Sequence, residues 1–222
     1  MWGVYMPVTL VTPKHGVVAN HWKPMLGSNV YWVGRSGAIY TNKVVEYKNI
    51  RRDLTVARLE TAFPTNDIAP AKLLESGWHS YLYGSTNYLQ GSFEVPVLAF
   101  DCAERGYLMR WAPYSMQYGK SEKGSRDDDE TGTTIYVERD PFAGIVPFYR
   151  TVAVGGDSGS PVFWPVDGQT VLLWCFHHRG GGPMPTKQEV DEAIAAWGDE
   201  ERVEAYNLGA GGWPNADAPP GP

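Results

Sequence analysis

The chain has 222 residues, of which 43% are hydrophobic and 20% are charged, a composition typical of one large or two small globular domains with a sizeable core. Its net charge is -6 and its 19 lysines and arginines are scattered, which argues against nucleic acid as a partner because phosphate binding requires clustered basic residues. No apolar run is long enough to span a bilayer, so we expect no membrane partner.

The start of the chain and the cysteines indicate the compartment. Met1–Pro7 has neither the basic region nor the long apolar region of a signal peptide. Two cysteines, Cys102 and Cys175, cannot build the framework of several disulfides that small secreted proteins use. We interpret both as reduced, buried thiols. We therefore expect a cytoplasmic or virion-associated protein rather than a classically secreted one.

Short runs of β-forming residues, separated by Gly, Pro, Asn and Asp, dominate the chain from its beginning. Their number and spacing are typical of a β-sandwich or a β-barrel. In chain order, the predicted strands are Val4–Val11, Gly16–His21, Asn29–Val33, Ala38–Tyr47, Leu54–Leu59, Ser80–Tyr83, Phe93–Phe100, Tyr107–Trp111, Thr133–Val137, Ile145–Tyr149, Pro161–Trp164 and Thr170–Phe176.

One polar stretch contains consecutive acidic residues, Asp127–Glu130. A calcium loop would space its acidic ligands along the chain and include a turn glycine among them. We therefore interpret this stretch as a solvated surface loop and predict no metal there.

One helix is predicted near the end of the chain. Thr186 and Glu189 form the sequence pattern of a capping box, and apolar residues follow it at helical spacing. The next segment, Glu201–Leu208, is compatible with either a helix or a strand. Gly209–Pro222 is rich in Gly, Pro and Ala and is interpreted as an extended tail. Such a tail is a possible contact for an assembly partner.

The hexapeptide Gly156–Pro161, with the sequence Gly-Asp-Ser-Gly-Ser-Pro, points most specifically to chemistry. Its small residues allow a tight turn that exposes the Ser158 hydroxyl. The N–H groups of Gly156 and Ser158 can then converge on a substrate carbonyl oxygen as an oxyanion hole. The alternative, the nucleophile elbow of α/β-hydrolases, requires glycine where this chain has Ser160. We therefore interpret Ser158 as a nucleophile that needs a neighbouring base.

This hexapeptide resembles the nucleophile loop of the chymotrypsin-like (trypsin-like) serine peptidases. The resemblance implies an all-β fold of two antiparallel β-barrels with the active site between them, here with a C-terminal helix. We expect a first barrel, trimmed at its amino end, in residues 1–78. The second barrel and the helix would occupy residues 79–208, and the tail residues 209–222. Small trypsin-like proteins of bacteria and tailed phages that lack signal peptides are similar in these respects.

The family's chain order is His, Asp, Ser, so the base and the acid must precede Ser158. A strand-like apolar run with small residues leads into His21, as it does at the family's base, and His15 is the alternative. The acid must orient the imidazole, and Asp53, which precedes an apolar strand, matches the family pattern. Asp67 is the alternative acid, but a nearby proline would interrupt the strand after it.

The resemblance also implies a specificity pocket beside Val152, Cys175, Phe176 and His177. The uncharged surroundings of Val152 disfavour cleavage after Lys or Arg. The strand that ends near Phe176 would pair with the substrate backbone by β-augmentation. His177 and His178 either select an acidic or amide side chain of the substrate or form a simple exposed pair.

One departure from the family lies next to the nucleophile. In secreted members a processed amino terminus pairs with the aspartate before the serine, which here is Asp157. No recognisable activation site precedes His21, so we expect no activation by amino-terminal cleavage. An unpaired buried carboxylate would be costly, and we therefore predict a substitute partner for Asp157.

Together these inferences predict a serine endopeptidase that acts on a protein or peptide substrate. Ser158 attacks, His21 shuttles the proton, Asp53 orients His21, and no metal or organic cofactor is needed. Two alternatives stay open. One is a structural or binding protein of a virus particle or other assembly that has kept the protease fold, and the other is an esterase with the same three residues.

Overall fold

The computed structural model describes residues 6–51, 53–75, 95–100, 106–111, 156–176 and 182–207. This part of the chain is mostly β-structure with one helix, α1 (Lys187–Ala195). Its strands are β1 (Thr9–Leu10), β2 (His15–Ala19), β3 (Asn29–Val33), β4 (Ile39–Arg51), β5 (Leu54–Leu59), β6 (Leu73–Leu74), β7 (Val95–Phe100), β8 (Gly106–Trp111), β9 (Pro161–Val166), β10 (Gln169–Cys175) and β11 (Ala205–Tyr206). Among these residues, no helix is long and apolar enough to cross a membrane.

Strands β2 and β5 lie inside a five-stranded antiparallel sheet with the order β1-β2-β5-β4-β3. Every residue of β2 is buried, because the sheet is covered on both faces here. Successive side chains of a strand point to opposite faces. Val17 accordingly packs in one core cluster with Val56, and Val18 packs in a second cluster with Ala57. Two apolar cores thus fix the strands that lead to the site.

A second sheet has the order β10-β9-β7-β8 among the described residues. Strands β9 and β10 form a hairpin whose turn residues, Asp167 and Gly168, have positive φ angles of 49° and 68°. Asp-Gly is a preferred pair for a two-residue turn because both positions require the left-handed conformation. The hairpin pairs Cys175, at the end of β10, with Pro161, the last residue of the predicted nucleophile loop.

Helix α1 joins the two sheets through one core. It begins with the predicted capping box, in which the Thr186 side chain accepts from the Glu189 backbone N–H and the Glu189 carboxylate accepts from the Thr186 backbone N–H. Its buried face includes Ile194. Ile194 packs in the same cluster as Leu54 of β5 and Leu172 of β10. The first sheet is thereby anchored to the hairpin that leads to the nucleophile loop.

Most of the predicted elements in the described residues are confirmed. Strands β3 and β5 have the predicted bounds, and the helix is present. β1 is confined to two residues and β2 ends before His21, so the predicted bounds of both strands needed correction. The segment Glu201–Leu208, for which a helix and a strand were both open, contains the strand β11, which pairs in parallel with β6. The predicted strands Ser80–Tyr83, Thr133–Val137 and Ile145–Tyr149 lie outside the described residues. The two closed barrels and the domain boundaries stay predictions.

Candidate active site

The register between β2 and β5 brings His21 and Asp53 together. Ala19, the last residue of β2, pairs with Leu54, the first residue of β5. One step further, the Asn20 N–H donates to the Asp53 carbonyl at 3.0 Å. His21 and Asp53 therefore leave the ends of two neighbouring antiparallel strands side by side.

The Asp53 carboxylate contacts both the backbone and the ring of His21. Its Oδ1 accepts from the His21 backbone N–H at 2.9 Å, and Nδ1 of the ring lies 2.8 Å from each carboxylate oxygen. Asp53 is only 8% exposed, and a buried carboxylate requires such donors. Because Nδ1 must donate to a carboxylate, Nε2 is the nitrogen left to accept a proton.

On the other side of the ring, Nε2 of His21 lies 2.9 Å from Oγ of Ser158. Ser158 belongs to the serine loop, as we call Gly156–Pro161. The His21 side chain is 40% exposed, so this contact is open to a molecule arriving from solvent. Burial of part of the ring lowers the pKa of His21, which favours the neutral form that accepts a proton near neutral pH. The geometry therefore suits removal of the Ser158 proton, with Asp53 placed to stabilise the resulting imidazolium.

Gly159 fixes the serine loop against the rest of the site. Its φ angle is +82°, and a methyl group on its Cα would lie 3.2 Å from Cγ of Pro7 and 3.7 Å from Cβ of Ala19. Its N–H donates to the Phe176 carbonyl at 2.7 Å, and the Phe176 N–H donates to the Ser160 carbonyl at 2.9 Å. Glycine is favoured here both by the left-handed conformation and by the close approach of the Pro7 ring.

The two amides predicted to form an oxyanion hole belong to the same loop. Gly156 has a φ angle of 102°, which glycine adopts without a Cβ penalty. Among the described residues, no protein acceptor takes the backbone N–H of Gly156 or of Ser158. Both N–H groups are thus available within this part of the chain to an oxygen atom of a substrate.

The segment after His21 is fixed by contacts that sequence reasoning missed. Nζ of Lys23 donates to Oδ1 of Asn20 at 2.6 Å and lies 4.9 Å from the centre of the Tyr47 ring. The Tyr47 hydroxyl donates to the Pro24 carbonyl, and burial raises the pKa of Tyr47 to about 12, which keeps this hydroxyl protonated. No local sequence signal could reveal these contacts, because Tyr47 belongs to β4 and only the sheet places it there.

The alternative base and acid have other partners. His15 is buried, with Nδ1 2.8 Å from Oγ1 of Thr12 and Nε2 3.1 Å from Oδ2 of Asp199. Asp67 accepts from the Tyr40 hydroxyl at 2.8 Å. The described histidines, cysteines and acidic residues form no group of three or more that could hold a metal ion.

The predicted substrate-binding roles of Cys175 and Phe176 stay predictions. Their side chains are buried, with 2% and 1% exposure, and the N–H and carbonyl groups of Phe176 both bond to the serine loop. These residues therefore support the serine loop. Val152 and His177 lie outside the described residues. Asp157 is buried within the serine loop, and the substitute partner expected for its carboxylate stays a prediction.

No protein-family model matches the chain, and no curated protein sequence does. Among solved structures, the NS6 protease of murine norovirus 1 is similar at 13% identity and a TM-score of 0.42, over 79% of this chain and 82% of that one. An inactive cysteine-to-alanine variant of the murine norovirus NS6 protease, extended by residue P1 prime of NS7, is similar at 12% identity and a TM-score of 0.44. The similarity covers 79% of this chain and 88% of that one. A chimeric form with an altered C-terminal cleavage junction is similar at 13% identity and a TM-score of 0.42, over 88% of this chain and 90% of that one. All three are structures of the murine norovirus NS6 protease.

Proposed function

We propose that this chain is a chymotrypsin-like serine endopeptidase, with Ser158 as nucleophile, His21 as general base and Asp53 as the acid that orients the base. One observation carries the proposal: contacts of 2.8 and 2.9 Å connect the Asp53 carboxylate, the His21 ring and the Ser158 hydroxyl. These are the groups that acyl transfer requires, in the order in which it requires them. They come from the ends of β2 and β5 and from a separate loop, in the family's chain order.

The proposed reaction forms and then hydrolyses an acyl-enzyme. As Oγ of Ser158 attacks the substrate carbonyl carbon, its proton passes to Nε2 of His21. The carbonyl oxygen gains the negative charge, and the N–H groups of Gly156 and Ser158 stabilise it. His21 then gives the proton to the leaving amine as the peptide bond breaks. A water molecule, deprotonated by His21, attacks the acyl group in the second half, and Ser158 regains its proton as the acid product leaves.

An oxygen nucleophile rather than a sulfur nucleophile is part of this proposal. Cysteine proteases need a thiolate, and therefore a thiol whose pKa is low. Cys175, the free cysteine of the described residues, is buried, and burial raises its pKa to about 12. We therefore expect peptidase activity to survive treatment with iodoacetamide and to be lost on treatment with a fluorophosphonate.

A fluorophosphonate probe tests the proposal directly. We expect it to label the wild-type protein and to leave Ser158→Ala unlabelled. Ser160→Ala is the matched control, because Ser160 lies two residues away with a fully buried side chain, and this variant should be labelled like the wild type. A folded wild-type protein that no probe labels would contradict the proposal and favour an inactive protein that has kept the protease fold.

Substrate profiling separates a peptidase from an esterase. The wild-type protein is incubated with a peptide library and with a series of p-nitrophenyl esters, and Ser158→Ala provides the background for both. We expect specific cleavage of peptides, with uncharged or polar residues preferred over Lys and Arg on the acyl side of the scissile bond. Hydrolysis of esters alone would contradict the endopeptidase assignment while leaving the nucleophile assignment intact.

A further inference from the structure

The two halves of the proposed catalytic site are held by different sheets. His21 and Asp53 stand at the ends of β2 and β5, which pair directly with each other. Ser158 stands on the serine loop, which is bonded to Phe176 at the end of β10. The 2.9 Å distance between Nε2 of His21 and Oγ of Ser158 therefore depends on how the first sheet is held against that loop.

One short segment, Pro7–Leu10, contacts both halves. On the first side, it includes β1, in which Thr9 and Leu10 pair with Val17 and Gly16 of β2. The packing at this pairing is tight, because a methyl group on Gly16 would lie 3.1 Å from the Thr9 carbonyl oxygen. The segment is thus fixed in register to the strand that leads to His21.

On the second side, the same segment contacts the serine loop and its support. The Pro7 ring is buried and lies so close to Gly159 that a methyl group there would be 3.2 Å from Cγ and 3.4 Å from Cδ of the proline. The Thr9 side chain lies beside the Cys175 thiol at the end of β10. Pro7 has no backbone N–H and a fixed φ angle, so its ring is a rigid surface against which Gly159 rests.

We infer that Pro7–Leu10 is a positioning element that sets the distance between Ser158 and His21, with the Pro7 ring as its contact to the serine loop. This inference rests on the proposed function, because the distance that it explains is that between the proposed nucleophile and base. The Pro7 ring lies against Gly159 and acts on Ser158 through the serine loop. Removal of its ring atoms would let the serine loop move toward the vacated space, and small displacements of reacting groups cost large factors in rate.

The test compares Pro7→Ala with Val30→Ala, a matched control that also removes side-chain atoms from a buried position, in β3 of the first sheet. We expect Pro7→Ala to lower kcat by roughly 10- to 100-fold with KM within about twofold of wild type. The rate of fluorophosphonate labelling should fall in parallel. Val30→Ala should keep kcat and the labelling rate within about twofold of wild type, even if its melting temperature falls as far as that of Pro7→Ala. Equal kcat values for the two variants would overturn the inference.

A second measurement keeps the inference testable without activity. Hydrogen exchange of the Gly159 amide, which donates to the Phe176 carbonyl, should accelerate in Pro7→Ala and stay at the wild-type rate in Val30→Ala. If the wild-type protein is inert, the proposed function fails, and this exchange rate alone then supports or overturns the positioning role. If Pro7→Ala does not fold, two other variants replace it in both measurements. Pro7→Val removes the ring but still has two carbons beyond Cβ, and Thr9→Val removes the hydroxyl beside the Cys175 thiol.

Discussion

One histidine begins strand β2 and a second lies just beyond its end. Each of the two contacts an aspartate and a hydroxyl group. His21, just beyond the end of β2, has Nδ1 2.8 Å from Asp53 and Nε2 2.9 Å from Ser158. His15, the first residue of β2, has Nε2 3.1 Å from Asp199 and Nδ1 2.8 Å from Oγ1 of Thr12. The polar partners are therefore of the same chemical types at both ends.

The surroundings of the two rings differ. His15 is fully buried and stacks on Trp197 with ring centres 5.7 Å apart. Its hydroxyl partner, Thr12, is 1% exposed and already accepts from the backbone N–H groups of Lys14 and His15. Near Ser158, by contrast, the contact is exposed, and among the described residues no protein acceptor takes the backbone N–H groups of Gly156 and Ser158. A carboxylate, an imidazole and a hydroxyl are therefore not enough for acyl transfer, because a substrate and donors for its oxyanion must also reach the hydroxyl.

The two histidines should differ most when each is replaced by alanine. We expect His21→Ala to lower kcat/KM by roughly 10⁴- to 10⁶-fold, because the base is lost, with little change in melting temperature. His15→Ala should lower the free energy of unfolding by about 2–4 kcal/mol, because it removes a buried ring and its hydrogen bonds. The measurements are steady-state kinetics and urea denaturation. If His15→Ala abolished the activity of the folded protein and His21→Ala did not, the assignment of the base would be wrong.

A smaller difference is expected when the aspartate partner of each histidine is replaced by asparagine. Asp53→Asn should lower kcat by roughly 10⁴-fold, because an amide no longer holds His21 in the tautomer with a proton on Nδ1. Asp199→Asn weakens the ion pair with Arg58 and the hydrogen bond with His15. It should therefore reduce stability, by less than His15→Ala does, and leave kcat unchanged. The Nδ1 proton of His21, observed by NMR, should lose its strongly downfield resonance only in Asp53→Asn, and the same loss in Asp199→Asn would contradict the pairing.

The pH dependence of activity reports on the first histidine. Burial lowers the pKa of His21 from its ordinary value of 6.5, and the reaction requires the neutral ring. We therefore expect kcat/KM to rise with pH along an acidic limb whose midpoint lies below 6.5. A limb with its midpoint above about 7 would show that the ring is stabilised as an imidazolium before the substrate binds.

The pH dependence of stability reports on the second histidine and is the smallest expected effect. Burial lowers the pKa of His15 below its ordinary value of 6.5, although Asp199 acts in the opposite direction. As the pH falls below 6.5, His15 of the unfolded chain binds a proton before His15 of the folded protein does. The free energy of unfolding therefore decreases. His15→Phe keeps an aromatic ring against Trp197 and should show a weaker decrease between about pH 7 and pH 5 in urea denaturation. An unchanged slope would contradict the burial of a titrating His15.

The sequence predicted those parts of the fold that depend on neighbouring residues. Runs of β-forming residues bounded by turn residues predicted the bounds of β3 and β5, and the capping box of Thr186 and Glu189 predicted the start of α1. Contacts between distant segments could not be predicted in this way. The inward orientation of Cys175 and Phe176 is an example, because it depends on the packing of β10 against β1 and the serine loop.

For the site, the sequence by itself determined which groups can carry the chemistry: a serine between small residues, histidines near the end of an apolar run, and an aspartate before another. These are local properties of residue type and spacing. The tertiary structure decided which histidine faces the serine and which is sealed in the core. His15 meets Asp199, which lies 184 residues further along the chain. The register between β2 and β5 brings Asp53 to His21. The contact between Pro7 and Gly159 holds the serine loop against the same strand end. Long-range strand pairing and close packing leave no trace in the local pattern of either histidine.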